Sequence, residues 1–282
     1  GSDLREGAVV LDRGAVVTAP AVSLIAGSGA VGIDVHRRPR VAVLATGDEV
    51  RDAGEALGAA GIPDANRPGL LAHVADAGAE AIDLGIATDD LDDVLRRLRG
   101  AVGRDVDAIV VSGGVSVGPY DVVRNAFEAI GHIDLWRVAV QPGKPFAFGT
   151  AERRGGGAPV LLFGLPGNPV SSMVTFELFV RPALRRLAGH AHPYRPVDRA
   201  VLGDAVSKSP GRRAFIRVAA DRRDDGSPRR DAQGRVLVRL AGGQGSHVLS
   251  ALATADSLAV IPEATDDLAA GADVELWWLD RG

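Results

Sequence analysis

The apolar positions along the chain change period twice. Between residues 40 and 187 short continuous apolar runs alternate with stretches of helical spacing, and beyond residue 196 the spacing falls to two. The runs at 41–45, 81–84, 108–111 and 160–163 are too short for helices and carry many β-branched residues, so they predict strands buried on both faces. A further strand is expected around 135–140, and a proline–glycine turn at 142–145 leads into an extended piece at 146–148. Helical spacing covers 68–77, 91–102, 122–130 and 170–187. Strands alternating with helices predict an α/β fold, a mainly parallel sheet flanked by helices, over residues 39–188. The period-two stretches at 200–202, 214–218, 235–240, 257–261 and 274–279 predict a small all-β C-terminal domain over 196–282, a barrel or a sandwich. Residues 189–196, with His190, His192 and Pro193, compose a linker between them. Residues 1–38, with a short helix over 19–26, hold too little apolar surface to fold alone and are expected to be the remnant of a larger N-terminal region.

Polar residues gather where the predicted strands stop. Four strand ends lead into T-G-D-E at 46–49, S-G-G at 112–114, P-G-K-P at 142–145 and G-L-P-G-N-P at 164–169. Ligands of open parallel sheets bind in the crevice at the carboxyl ends of strands, so the four loops converge on one edge. A strand, the glycine loop Gly113-Gly114 with Ser116, and a helix opening at Asp121 form an anion-binding construction, because glycine lets backbone approach a ligand. The plainer readings are that Asp121 only caps its helix and that the glycines only turn the chain. Asp48, Glu49, Asp64 and Asp121 would suit a hard cation such as Mg²⁺ held through few ligands and several waters. Lys144 and the helix start at Asn168-Pro169, with Ser171 in its first turn, are anion-binding parts. Arg212-Arg213 and the loop 242–247 could face an anion, although a charged turn and a flexible loop are the plainer reading of each.

Composition narrows the chemistry. The 282 residues contain no cysteine, which removes zinc-thiolate sites, disulfides and thiol nucleophiles. A formal charge of −4 argues against a general nucleic-acid binder. No apolar run approaches a membrane span, and a cytoplasmic location is the default expectation. The six histidines include no helical H-x-x-x-H pair. Lys144 and Lys208 are the two lysines among 32 basic residues, and Lys144 stands inside a candidate loop.

Taken in order, T-G-D-E at 46–49, D-A-N at 64–66, S-G-G-V-S-V-G-P-Y-D at 112–121, P-G-K-P at 142–145 and G-L-P-G-N-P-V-S at 164–171 resemble the MoeA/gephyrin E-domain family, the molybdopterin molybdenumtransferases. The resemblance runs from about Asp3 to the C-terminus. It implies insertion of molybdate into adenylylated molybdopterin, with release of AMP, in the presence of Mg²⁺. It implies a MogA-like molybdopterin-binding domain followed by the small β domain. By the same resemblance Asp3, Glu49, Asp121 and Lys144 would be catalytic, and Asp48, Glu49 and Asp121 would hold the metal. Thr46, Gly47, Asp64, Asn66, Ser112, Gly113, Gly114, Ser116, Gly167, Asn168 and Pro169 would contact the pterin or nucleotide. Pro145, Ser171, Arg213 and Ser246 would complete the molybdate corner with Lys144, and Gln141 stands where some relatives have lysine. The resemblance also implies a homodimer and a molybdopterin adenylyltransferase as supplying partner, while members usually carry over a hundred residues before the equivalent of Asp3. The alternatives are a MogA-like adenylyltransferase, which the C-terminal β domain argues against, and a non-catalytic scaffold dependent on apolar surface near Trp277 and Trp278.

Overall fold

The structure, a computed structural model, describes residues 3–114, 121–135, 137–153 and 155–279. In chain order α1 (Ala19–Gly27) precedes β1 (Arg40–Thr46), the short pair β2 (Val50–Arg51) and β3 (Ile62–Pro63), α2 (Asn66–Asp76), β4 (Glu80–Ala87) and α3 (Leu91–Val102). Next come β5 (Ala108–Ser112), α4 (Val122–Ile130), β6 (Gly131–Leu135), β7 (Val140–Gln141), β8 (Ala147–Ala151) and β9 (Val160–Leu165). The long helix that follows is α5 (Pro169–Thr175), a π-helical turn over Phe176–Val180 and α6 (Arg181–Leu187).

The first sheet has the order β4-β1-β5-β9-β8-β6. The first four strands are parallel, and β8 and β6 are antiparallel additions. Alternation along β1 and β5 divides the core. Val41, Val43, Ala108 and Val110 pack with Leu70 and Val74 of α2 and with Val170 and Val174 of α5. Ala42, Leu44, Ile109 and Val111 pack on the other face with Leu98 of α3 and Phe127 of α4. Both faces of the central strands are therefore covered, which is why their sequences read as unbroken apolar runs. The expected strand at 135–140 is corrected: residues 131–135 pair with β8, whereas Val140-Gln141 leaves this sheet and pairs with Arg213-Ala214.

The second half comprises β10 (Val197–Leu202), β11 (Val206–Ser207), β12 (Arg213–Ala220), β13 (Val236–Leu240), α7 (Leu249–Thr254), β14 (Ser257–Ile261), β15 (Asp267–Leu268) and β16 (Asp273–Trp278). Its sheet runs β13-β10-β16-β14-β12, and the β12–β13 pairing closes it into a barrel, with β7 added beside β12. Ala214, Ile216, Val218, Ala259 and Leu276 fill the barrel. Phe215, Leu258 and Leu279 face outward instead and join the core beneath α5, so the two halves share one apolar cluster.

Residues before β1 are largely exposed. Of α1 only Ala21 is buried, while Val9, Val16, Val22, Val31 and Val35 are exposed. The segment is held by Arg37, whose guanidinium donates to both oxygens of Asp107 at 2.6 and 2.5 Å.

Candidate functional site

The carboxyl ends of β1, β5 and β9 meet at one spot, and the residues there leave no room for side chains. Gly113 and Gly114 follow β5 with φ of 93° and 61°. A Cβ on Gly113 would stand 2.5 Å from the Thr46 carbonyl oxygen, and one on Gly114 would stand 2.6 Å from Val123 Cγ2. Only glycine fits both the torsion and the space. Asn66, at the start of α2, spans the gap by donating from Nδ2 to Ser112 Oγ and to the Gly167 carbonyl, each at 2.8 Å. Ser112 Oγ lies 3.4 Å from Ser172 Oγ of α5. Thr46, Asn66, Ser112, Gly113, Gly114 and Gly167 are thus brought together at one sheet edge. Thr46 Oγ1 and Asn66 Oδ1 are buried without a hydrogen-bond partner among the described residues. Unsatisfied buried oxygens are costly, so two at one glycine-lined edge mark a place prepared for a ligand with donors. Ser116 lies outside the described residues.

Beside this cradle the chain leaves β1 through Gly47, whose N–H donates to the Ala87 carbonyl at 3.2 Å. The turn brings Asp48 against Asp89, the residue two past the end of β4. Asp89 N–H donates to Asp48 Oδ1 at 3.0 Å, and Asp48 N–H points back to Asp89 Oδ2 at 3.4 Å. Burial raises the Asp89 pKa, and the neighbouring charges of Asp48 and Glu49 add to the rise. Glu49 is exposed, and its carboxylate folds back over Gly47. Asp89 stands just past a strand end, the same signal that marks Thr46 and Gly113 in the sequence.

The expected trio Asp48, Glu49 and Asp121 does not form a ready metal cage. Among the described residues no three acidic or histidine side chains gather where they could hold a metal ion. Asp121 is buried, and its Oδ1 caps α4 by accepting the Arg124 N–H at 3.0 Å. Mg²⁺ keeps most of its waters and needs only one or two carboxylates beside substrate phosphates. Glu49 with Asp48 meets that smaller demand.

Asp64 is placed differently from its expected ligand contact. Its Oδ1 accepts the N–H groups of Asn66 and Arg67, and its Oδ2 accepts Arg67 Nε at 2.9 Å. Arg67 also pairs with Asp52 and Asp83, so Asp64 belongs to an internal ion network that fixes the start of α2. Asp3 is exposed and makes no side-chain hydrogen bond or ion pair with the described residues.

The third wall comes from the P-G-K-P loop and the barrel. Gly143, with φ of 114°, sits so close to α5 that a Cβ would meet Thr175 Cγ2 at 2.4 Å. Lys144 beside it is exposed, with no ion-pair partner among the described residues, and Pro145 is half-buried. Ser171 is buried, and its carbonyl accepts the Thr175 hydroxyl at 2.8 Å. Asn168 and Pro169 open α5, and the Ser246 carbonyl accepts the Val170 N–H at 3.1 Å, seating the barrel loop on that helix. Arg213 is not the arginine that faces this loop: it is exposed and pairs with Glu263 at 3.3 Å. Arg217, four residues further along β12, is fully buried and donates to the carbonyls of Gly243 and Gly245 at 3.0 and 3.2 Å. It has no carboxylate partner among the described residues, its Nε is unpaired, and burial lowers its pKa. A pocket of about 130 Å³ opens against it, lined also by Gln141, Pro142, Ser207 and Gln244. With no carboxylate partner among the described residues, the buried guanidinium leaves an uncompensated positive charge beside this pocket.

Comparison with known proteins agrees with this layout. The family described as a probable molybdopterin binding domain matches residues 42–186, and that of the MoeA C-terminal region (domain IV) matches residues 199–279. The molybdopterin molybdenumtransferase of Haemophilus influenzae is 33% identical over 277 residues, covering 98% of this chain and 65% of that protein. Molybdopterin molybdenumtransferase 2 of Mycobacterium tuberculosis is 37% identical over 284 residues, again 98% of this chain and 65% of the relative. The chain thus spans just under two thirds of the length of these curated relatives. The crystal structure of the molybdopterin biosynthesis MoeA protein from Pyrococcus horikosii superposes with a TM-score of 0.76 at 27% identity, over 97% of this chain and 62% of that one. With the acidic turn and the glycine cradle inside the first matched region and the barrel loop inside the second, the chain belongs to the MoeA family of molybdopterin molybdenumtransferases.

Proposed function

We propose that this chain inserts molybdate into adenylylated molybdopterin and releases AMP. One observation carries the reading: the glycine cradle with its two unsatisfied oxygens lies on the same sheet edge as an acidic turn, and a barrel-borne cationic pocket adjoins the loop that packs on α5. The cradle suits the pterin and its phosphates, which close-approaching backbone at Gly113 and Gly114 can meet. The pocket at Arg217, with Lys144 nearby in the P-G-K-P loop, suits the oxyanion. Holding both substrates still lets positioning and charge neutralisation supply most of the rate, as in other phosphoryl chemistry. Glu49 and Asp48 would hold Mg²⁺, which when bound neutralises phosphate charge. Burial and the charges of Asp48 and Glu49 raise the Asp89 pKa, so negative charge is crowded in the same turn and a cation there would relieve it.

The reading extends to partners and place. Adenylylated molybdopterin is the product of a molybdopterin adenylyltransferase, so such an enzyme supplies the substrate. Homodimerisation is supported by the exposed aliphatic side chains of residues 9–35. Action in the cytoplasm accords with a cysteine-free chain in which no described helix is long and apolar enough to cross a membrane.

The test is to mix the chain with adenylylated molybdopterin, molybdate and Mg²⁺ and to follow AMP. Release that needs molybdate supports the reading. A Glu49→Ala variant that consumes the substrate at the unchanged rate would remove the acidic turn from it.

A further inference from the structure

Behind the cleft, away from every residue assigned above, one buried carboxylate gathers the elements that carry those residues. Glu177 lies in the π-helical turn and is 7% exposed. Arg195 grips it with two parallel bonds, Nε to Oε2 at 2.9 Å and Nη2 to Oε1 at 3.0 Å. His73 Nδ1 of α2 approaches Oε1 at 3.2 Å, and Arg181 Nε stands 3.8 Å away. Arg181 also donates to the Pro193 carbonyl at 3.2 Å. Arg195 and Pro193 belong to the stretch between α6 and β10, which is the covalent connection from the α/β layer to the barrel.

Each element meeting at Glu177 has its other end in the cleft. Helix α2 begins at Asn66, seven residues before His73. The long helix opens at Asn168 and presents Ser171 and Ser172 before reaching Glu177. Arg195 leads directly into the barrel that carries Arg217 and Ser246. The rest of the contact is greasy: Met173 and Val174 face Leu252, Leu258 and Leu279 across a void of about 10 Å³ that His73 and Glu177 also line. Apolar contact is non-directional and tolerates sliding, whereas a two-pronged arginine–carboxylate bond fixes an angle. Glu177 sits within the π turn itself, a local departure from α-helical geometry at the point where the helix meets the connection.

We propose that Glu177 is a positioning residue that sets the barrel against the α/β layer, and thereby the distance between the anion pocket and the glycine cradle, through its bond to Arg195. A forked charged pair fixes an orientation that apolar contact alone leaves free, whatever it adds to stability. The proposal rests on the reading that the cleft binds ligands from both sides. Its test does not.

The absence of cysteine allows two spin labels to be placed on the full chain, at Arg99→Cys on α3 and Asp224→Cys on the barrel hairpin, with the distance distribution between them measured. The parent should give one narrow distribution, and Glu177→Gln should broaden or displace it while the far-ultraviolet spectrum is kept. Arg195→Lys keeps the charge, loses the fork and should do the same. With substrates, release of AMP per bound adenylylated molybdopterin should fall about tenfold while affinity for it holds within about twofold. An unchanged distribution in Arg195→Lys, or in a folded Glu177→Gln that merely melts earlier, overturns the proposal. If the parent fails to bind adenylylated molybdopterin, the functional reading falls and the label distances still decide the role of Glu177.

Discussion

At the scale of single residues, the site depends on atoms that are missing. Gly113→Ala places a methyl group 2.5 Å from the Thr46 carbonyl oxygen at a φ of 93°, so the loop must move. Urea denaturation should show a loss of about 1–3 kcal/mol, and calorimetry should show weakened binding of adenylylated molybdopterin. Gly167→Ala is the control: its Cβ would lie 3.7 Å from Gly113 Cα, an ordinary contact, and stability should change by less than about 0.5 kcal/mol. Glu177 makes a prediction in pH. Burial alone would raise its pKa, but the bonds from His73 and Arg195 hold it down to about 2, against 4.5 in an unfolded chain. A depressed carboxylate stabilises the fold above its unfolded value and loses that contribution as pH falls toward its folded value. The parent should therefore lose about 3 kcal/mol more than Glu177→Gln between pH 4.5 and 2 in denaturant titrations. At this scale the sequence was informative at the ends of β1, β5 and β9 and silent on Asp89 past the end of β4. Thr46, Asn66, Ser112, Gly113, Gly114 and Gly167 converge because topology alone brings strand ends together. Arg217 was not legible, because an arginine inside a period-two strand is read as facing water. Its burial is decided by a glycine loop 26 residues later in the chain, whose carbonyls it meets.

Elements were legible where their cores are local. Helix α3 shows an apolar face, an Asp90 cap and a stop at Gly103, all visible in one window. The strand expected at 135–140 failed because its hydrophobic run serves two sheets. Leu135 belongs to an edge strand, and Val140 finds its partner in Arg213, which no local pattern can announce. Helix α7 was missed because the glycine loop before it masks its start. The start of α2 shows what an element costs to place. Arg67 is buried and holds Asp52, Asp64 and Asp83, and the Asp64 side chain is 1% exposed. Arg67→Gln leaves that carboxylate unpaired, and thermal or urea unfolding should register a loss of about 3 kcal/mol. Asn66 should then lose its fixed position, so substrate affinity should fall with it.

At the scale of the whole molecule, binding is divided between halves that meet over a shared core. The division predicts separable phenotypes. Arg217→Met should weaken molybdate binding about 10- to 100-fold, the range expected for lost hydrogen bonds to a charged group. Affinity for adenylylated molybdopterin should stay near the parent value, and Arg213→Met should leave both unchanged; calorimetry with each ligand in turn checks all three. The interlocking runs deeper than contact. Val140 and Gln141, drawn from the middle of the first half, lie as a strand against Arg213 and Ala214 of the second, and the Arg213 N–H bonds the Ala139 carbonyl at 2.9 Å. No single cut in the connecting stretch separates the halves cleanly, since one piece would keep a strand that the other needs. Gene fusion or shuffling at residues 188–196 would therefore not yield exchangeable cassettes, and the two halves are constrained to evolve together.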